Sequence, residues 1–406
     1  MKIRRYIAEN IEGVGDARGW SYLGILAYHV YLGLGDEESV RYLDALADKV
    51  NEAIKEGEGL VIGPWESMEA YEQLLAHIQA MEFLTLHYAL SGDPDTKMSI
   101  KVLAGSLAEN LGWRPENSYS RFLAYSLFVR TILGLTPLEE DVKEIESELS
   151  ARYMDLMNYS AQSLSSQITI LTMLSHYVIA SKSLEGPLIE LEALRKTLEN
   201  LTIAELVERK IKEEEYWIDA AIIHSLVMSY IAGEDDHVLQ VLKEKIQEIF
   251  RLWIDGSEPK PLPFPKIFVY MFDPKIRPEE LFVEEFVWKR DLIFPSTIAL
   301  FASSIRKVDE EFSTWVNGLL EGIVEKVSQQ VNSMGYYDVG AGEYVGRLES
   351  AYLISSWLAL AKKKYETPGE VSPRLPTRLP YTLIASFLIL VSIAVYYKVR
   401  IRREAI

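Results

Sequence analysis

The chain has 406 residues, a net charge of −18 and no cysteine, with 49% hydrophobic and 25% charged residues. This balance is that of a globular protein with a sizeable core, and the acidic charge argues against nucleic acid as a partner. The lack of cysteine excludes disulfides, thiolate nucleophiles and cysteine-ligated metals.

The first predicted element is an apolar helix, from Tyr22 to Leu34, that carries no charged residue. Glycines end it, and Asp36 is placed to cap the helix that follows. In that second helix, apolar residues recur every three or four positions and the remaining faces are charged. The pattern predicts a helical hairpin with a buried first helix and a half-exposed second helix.

The same couplet recurs along the chain at a nearly constant period of about 47 to 50 residues. One step is longer, because a proline-rich insertion at about 255–295 cannot continue a helix. A constant period in this range is typical of repeated supersecondary units. The charge-poor first helices are predicted to begin at Tyr22, Tyr71, Tyr119, Ser166, Tyr216, Ser296 and Tyr344.

We therefore predict an all-α fold in which residues 1–365 form an α/α toroid of about six to seven helical hairpins. A charge-free helix needs cover on every side, and an inner ring of helices provides it better than an open solenoid does. The open solenoid, in which the hairpins only stack, is the alternative.

The hairpin period and the Gly- and Tyr-rich segment at 334–360 carry a resemblance to known proteins. They resemble the α/α-toroid proteins of the terpenoid-cyclase, prenyltransferase-like and six-hairpin glycosidase-like groups, over about residues 16–362. The resemblance implies the toroid fold. The Asp-rich motif and the Gln-to-Trp repeat of the cyclases are absent from the sequence, so it implies no catalytic residue.

In such a ring the starts of the inner helices share one face, and the sequence places aromatic and charged residues there. Aromatic faces suit sugar rings, and two carboxylates suffice to cleave a glycosidic bond. The alternative is that the acidic residues cap helices and the tryptophans close the hairpins. The candidate ligand-binding residues are Trp65, Glu66, Trp113, Arg114, Trp217, Asp219, Asp291, Tyr337, Asp338, Glu343, Arg347 and Glu349.

Four histidines lie on the charge-poor helices of different hairpins: His29, His77, His176 and His224. They could surround a metal ion, but none has a second ligand one helical turn away. We expect them to be hydrogen-bonded core residues, and we expect neither a metal nor a cofactor.

The C-terminal part of the chain predicts a membrane anchor. Residues 381–397 carry no charge, and as a helix they would span about 26 Å, enough to cross a bilayer. A proline-rich tether at 366–380 precedes this span, and a basic tail at 398–406 follows it. A buried core helix is the alternative interpretation.

The basic tail also favours one orientation in the cell membrane, with the C-terminus inside and residues 1–365 outside. The N-terminal residues show no apolar run of the kind that a signal peptide contains. A cytosolic domain with a tail anchor is therefore the alternative.

These features together predict a membrane-anchored binding or interaction module for a glycan or an extended peptide. The sequence does not decide whether the protein is an enzyme. The first alternative is a carbohydrate-active hydrolase or lyase that uses paired carboxylates, and the second is a scaffold of a membrane complex.

Overall fold

The computed structural model describes residues 7–8, 11–13, 17–35, 37–56, 70–210, 216–254 and 293–319. The chain divides into two units, Met1–Thr367 and Pro368–Ile406, and every described residue lies in the first unit. Within these ranges the regular structure is helical and no strand occurs, which confirms the predicted all-α class.

The helices follow one another with short connections wherever the described residues are continuous. In chain order they are α1 (Ala17–Leu34), α2 (Glu37–Glu56), α3 (Ala70–Ser91), α4 (Pro94–Leu111), α5 (Tyr119–Ile132), α6 (Glu139–Ala151), α7 (Tyr153–Gln162), α8 (Leu164–Ser181), α9 (Ile189–Glu208), α10 (Tyr216–Gly233), α11 (Asp236–Ile254) and α12 (Ile293–Ile305). A 3₁₀ turn at Pro115–Asn117 precedes α5, and residues 310–319 are helical.

The helices are arranged as hairpins in two layers. The amphipathic helices α2, α4, α6, α9 and α11 each pack on the charge-poor helix before them in their hairpin. The charge-poor helices also pack on one another in chain order: α1 on α3, α3 on α5, α5 on α8, α8 on α10, and α10 on α12. The described residues thus contain the helical hairpins that the period predicts, with the charge-poor helices side by side.

The turn between α3 and α4 shows how the sequence sets a hairpin. Gly92 has a φ of +65°, in the left-handed region that glycine adopts without strain. The Asp93 carboxylate accepts the backbone N–H of Thr96 at 3.1 Å, and Pro94 is the first residue of α4. One glycine, one cap and one proline therefore end the first helix and start the second.

The close packing of α1 on α3 depends on a glycine. A Cβ atom added at Gly24 would lie 2.2 Å from Cε2 of Phe83, whose ring is fully buried. Any side chain at position 24 would push the two helices apart. The backbone of α1 at Gly24 thus packs directly against the Phe83 ring of α3.

The layer of amphipathic helices differs from the predicted hairpins at one point. The second helix of the third hairpin is bent, and it consists of the two helices α6 and α7. Arg152 has φ −109° and ψ 17°, which interrupts the helix. The helical hydrogen bonds continue on both sides, from Arg152 N–H to the Glu148 carbonyl and from Leu156 N–H to the Arg152 carbonyl. The bend allows α7 to pack on α8.

A buried ion cluster fixes α9 to α10. Arg195 on α9 is only 1% exposed, and its Nε and Nη2 donate to the Glu192 carboxylate at 2.8 and 2.7 Å. Its Nη1 donates to Glu199 at 2.9 Å and to the Ser229 carbonyl of α10 at 3.2 Å. The cation thus lies near the C-terminus of α10, where the helix dipole favours positive charge.

A second cluster connects the three helices α3, α4 and α6. Asp141 of α6 is fully buried and accepts the Tyr88 hydroxyl at 2.8 Å and the Lys97 ammonium at 2.6 Å. Lys97 also pairs with Glu144 at 2.9 Å. Both buried clusters bind neighbouring helices to one another, which is a structural role.

Within the described ranges no helix is both long enough and apolar enough to cross a bilayer. The predicted anchor at 381–397, the tether and the basic tail lie outside these ranges, as does most of the insertion at 255–295. The last predicted hairpin, which begins at Tyr344, also lies outside them. Closure of the helices into a ring therefore stays a prediction.

Candidate functional site

The described residues include only part of the predicted site. Trp113, Arg114 and Asp219 are described with their side chains, whereas Trp217 is described only as a residue of α10. The other candidates lie outside the described residues: Trp65, Glu66, Asp291, Tyr337, Asp338, Glu343, Arg347 and Glu349.

Trp113, in the connection between α4 and α5, packs against α7. The Arg152 guanidinium lies 4.1 Å from the centre of its ring, and the Tyr159 ring lies 6.0 Å away. The Tyr159 hydroxyl donates to the Trp113 carbonyl at 3.1 Å, and the Arg114 N–H donates to Asn117 at 2.9 Å. These contacts are those expected if Trp113 closes the hairpin, and the cation occupies one face of its ring.

Asp219, in the first turn of α10, is fully buried. It pairs with Arg209, the residue that directly follows α9. Its Oδ1 accepts Nε of Arg209 at 2.8 Å, whereas its Oδ2 has no hydrogen-bond partner among the described residues. Burial raises the pKa of this carboxyl group, and Arg209 acts in the opposite direction. Asp219 and Trp113 thus have separate partners, on different hairpins.

A different set of residues, which the sequence did not single out as a site, lies along one face of the charge-poor helices. On α8, Thr172, His176 and Ile179 keep 6, 5 and 8% of their surface exposed, and no described residue between them keeps more than 1%. Their spacing of three and four places them on one side of the helix. Between Leu171 and Ser181 that side alone retains accessible surface, while Leu164, Ser165 and Gln167 at the start of α8 are also half-buried.

The neighbouring charge-poor helices show the same pattern. On α5, Arg121 at 6%, the half-buried Tyr125 and Phe128 at 5% are again four and three apart, and the last residues of α5, 130–132, are half-buried as well. On α10, Ala221 is 8% exposed, and His224 and Ile231 are half-buried. We define the accessible stripe as Tyr28, Tyr31, Glu82, Leu86, Arg121, Tyr125, Phe128, Thr172, His176, Ile179, Ala221, His224 and Thr297. Its most covered members are Tyr28, Leu86 and Thr297, at 4, 4 and 3%.

Aromatic and imidazole rings meet in the middle of the accessible stripe. The His176 ring of α8 stacks on the Phe128 ring of α5, with centroids 4.4 Å apart, and lies 5.5 Å from the Tyr125 ring. On the other side, Nδ1 of His224 lies 2.6 Å from the Thr297 hydroxyl of α12. Four successive charge-poor helices thus contribute to one cluster, the Arg–His cluster, made of Arg121, Tyr125, Phe128, His176, His224 and Thr297.

One polar atom of this cluster is left unsatisfied. Nε2 of His176 is buried and has no hydrogen-bond partner among the described residues. Buried polar atoms are rarely left in this state unless a ligand or water supplies the partner. The expectation of hydrogen-bonded core histidines is therefore not met at this nitrogen, nor at Nε2 of His77, and the His29 side chain lies outside what the structure describes.

The electrostatics of the cluster keep both imidazoles neutral at neutral pH. Burial, and to a smaller extent the nearby Arg121 cation, lower the pKa of His224 to about 4. Burial, His224 and Arg121 together hold the pKa of His176 well below its ordinary value. A neutral imidazole has one donor and one acceptor nitrogen, so each histidine can serve a polar ligand in either role.

Side chains of the accessible stripe influence one another across an intervening helix. Arg121 of α5 lowers the pKa of His224 of α10, across α8, and Tyr125 of α5 raises the pKa of Tyr28 of α1, across α3. Adjacent packed helices have axes about 8–10 Å apart, and long side chains cover much of the distance across the helix between them.

The described residues contain no group of three or more His, Asp or Glu side chains that could hold a metal ion.

No family model, no curated protein and no solved structure matches the chain. The chemistry of the accessible stripe is therefore the basis for a functional interpretation.

Proposed function

We propose that the protein is a membrane-anchored α/α toroid that binds a glycan in its central lumen. The observation that carries the proposal is the accessible stripe, a line of aromatic, hydroxyl and imidazole groups on otherwise apolar, buried helices. An extended peptide is the alternative ligand.

Two features support a ring. The charge-poor helices pack on one another in chain order. If the predicted remaining hairpin closes this row into a ring, the stripe lines the lumen. Helices that form the inner wall need cover everywhere except on the lumen side, which is the exposure pattern of α8 from Leu171 to Ser181.

The composition of the stripe favours binding over hydrolysis. Tyr125, the half-buried aromatic residue of the stripe, offers a ring face on which a sugar can stack, and the Thr172 hydroxyl, which donates to the Ile168 carbonyl, can still accept a hydrogen bond. Cleavage of a glycosidic bond requires two carboxyl groups, and Glu82 is the one acidic residue of the stripe as defined above. A module that binds is thus the simplest function for this surface.

The anchor places this module at a membrane. The uncharged span at 381–397, followed by the basic tail, favours a single crossing with the toroid outside the cell membrane. The proline-rich tether at 366–380 acts as a semi-rigid spacer between the two. A tethered toroid outside the cell would meet glycans or peptides at the surface.

The proposal is tested by blocking the lumen of the full chain in detergent micelles. Ala221→Phe adds a ring on the stripe without removing a polar group, and Ala193→Phe makes the same change at an exposed position of α9. Both variants and the parent protein are applied to glycan and peptide arrays, with thermal melting as the folding control.

We expect saturable glycan binding by the parent protein and by Ala193→Phe, and its loss in folded Ala221→Phe. Binding of peptides alone would replace the glycan by the alternative ligand. Glycan binding that survives in Ala221→Phe, or no binding by the parent protein on either array, would show that the lumen is not the site.

A further inference from the structure

We infer that His224 is the residue that selects the glycan, and that its Nε2 binds a hydroxyl of a neutral sugar that packs on Tyr125. This inference rests on the proposed function. It is carried by the geometry of a half-buried imidazole on the accessible stripe, whose other nitrogen is held by a hydroxyl of the next helix.

The first argument is the orientation of the imidazole. Nδ1 of His224 lies 2.6 Å from the Thr297 hydroxyl of α12, and among the described residues this is the one hydrogen bond to the ring. Such a bond fixes the ring and decides which nitrogen is left for a ligand. In His224 the nitrogen that is left is Nε2.

The second argument is access to this nitrogen. His224 is half-buried, whereas His176 on the neighbouring helix α8 is 5% exposed. Nε2 of His176 is enclosed without a hydrogen-bond partner, and Nε2 of His224 is not among the described nitrogens in that state. Since no described residue bonds Nε2 of His224 either, this nitrogen retains surface that a small polar group can contact.

The third argument is the charge of the ring. Burial, and to a smaller extent Arg121, lower the pKa of His224 to about 4, so the imidazole is neutral at neutral pH. A neutral imidazole has one donor and one acceptor nitrogen, and a hydroxyl can pair with either. The ring lacks the positive charge that would attract a carboxylate, so a neutral sugar is the favoured guest at this position.

The fourth argument is the aromatic ring on the other side of α8. Tyr125 of α5 is half-buried, and its ring lies 5.5 Å from the His176 ring. Both α5 and α10 pack on α8, so Tyr125 and His224 are the more accessible groups on the two helices that contact α8. A sugar that packs on Tyr125 would thus extend over the covered His176 and present a hydroxyl to His224.

The first experiment measures access to Nε2 without a glycan. Diethyl pyrocarbonate acylates unprotonated imidazole nitrogens, and mass spectrometry of the treated full chain, in detergent micelles near neutral pH, locates the products. We expect His224 to react, as the exposed His237 does, and the 5% exposed His176 to react more slowly than both. An unreactive His224 would overturn the inference.

The second experiment assigns a sugar hydroxyl to His224. The neutral oligosaccharide that binds best on the glycan array is compared, by titration calorimetry, with analogues in which one hydroxyl at a time is replaced by hydrogen. For the parent protein we expect one analogue to bind about threefold to tenfold more weakly, which is the effect of one lost hydrogen bond. The unmodified oligosaccharide should also protect His224, and not His237, from the reagent.

Two matched variants connect that difference to the imidazole. His224→Leu removes both nitrogens at similar volume, so the oligosaccharide and the weakened analogue should bind to it equally. His237→Leu makes the same change at an exposed position of α11 and should keep the difference. Thermal melting of each variant is the folding control.

Equal binding of all analogues to the parent protein, or a difference that persists in folded His224→Leu, would overturn the inference and leave the proposed glycan function standing. Failure of the oligosaccharide to protect His224, or binding of acidic glycans alone, would do the same. A complete lack of glycan binding on the arrays would instead refute the proposed function itself. Reaction and protection are measured on the parent protein, so they decide the matter even if His224→Leu does not fold.

Discussion

Arg195 shows at the scale of one residue how tightly the two helix layers are joined. Its guanidinium bridges two carboxylates of α9 and reaches the backbone of α10 at Ser229. The same group fills the space beside Gly233, where an added Cβ atom would lie 2.8 Å from Nη2. Glycine at position 233 is therefore required by the buried ion cluster and not by the helix.

A test of this close contact is the substitution Gly233→Ala. The guanidinium is held by Glu192 and Glu199 and cannot move away without weakening those bonds, so we expect a loss of about 1–3 kcal/mol in the free energy of unfolding. The measurement is urea unfolding followed by circular dichroism.

The matched control for this substitution is Gly105→Ala, within α4. A Cβ atom at Gly105 would meet no atom within 4 Å, so the change should stabilise the helix by about 0.5–1 kcal/mol. Equal effects of the two substitutions would show that Arg195 adapts freely, contrary to the geometry.

At the scale of one element, α4 depends on its first turn. Asp93 accepts both the backbone N–H and the hydroxyl of Thr96, at 3.1 and 2.7 Å. The Thr96 hydroxyl in turn lies 3.1 Å from Nδ1 of His87, whose Nε2 lies 3.2 Å from Asp44. This chain of contacts resembles a catalytic arrangement, but the hydroxyl is donated to Asp93, so its role is to cap the helix.

Removal of this cap gives a prediction for the element. Asp93→Ala should lower the free energy of unfolding by about 1–2 kcal/mol, because it leaves the backbone N–H and the hydroxyl of Thr96 without their acceptor. Asp95→Ala, in the same turn, removes only an exposed carboxylate 3.9 Å from Lys55 and should cost about 0.5 kcal/mol or less. A loss for Asp93→Ala no larger than that of Asp95→Ala would contradict the capping role.

At the scale of the whole molecule, we predict that the proposed anchor and the proposed toroid are separable parts of the chain. Deletion of residues 379–406 removes the uncharged span and the basic tail but none of the described helices. We expect the shortened protein in the soluble fraction, with the helical circular dichroism of the parent protein, because the apolar surface that requires lipid is gone. A folded, unaggregated product that stays in the membrane fraction would refute the anchor.

The orientation of the full chain in the membrane is tested on cells that express either the full chain or the shortened protein. With the toroid outside, protease added to intact cells should degrade it, and the shortened protein retained inside should be protected until lysis. Protection of the parent protein until lysis would instead favour the cytosolic, tail-anchored alternative.

The sequence alone predicted the regular parts of this protein, because they depend on local chemistry. Apolar periodicity predicted the hairpins, and the Gly92–Asp93–Pro94 turn identified both a helix end and a helix start. The bend at Arg152 was missed, since the helical hydrogen bonds continue across it and no glycine or proline signals it.

The tertiary structure decided which residues share a surface. The candidate site rested on residues near helix starts, and Trp113 and Asp219 prove to have separate packing partners. Arg121, His176 and His224 are far apart in the chain and each lies within an apolar run, so no local pattern connects them. They come together because successive charge-poor helices pack side by side, a contact between distant segments that a sequence pattern does not encode.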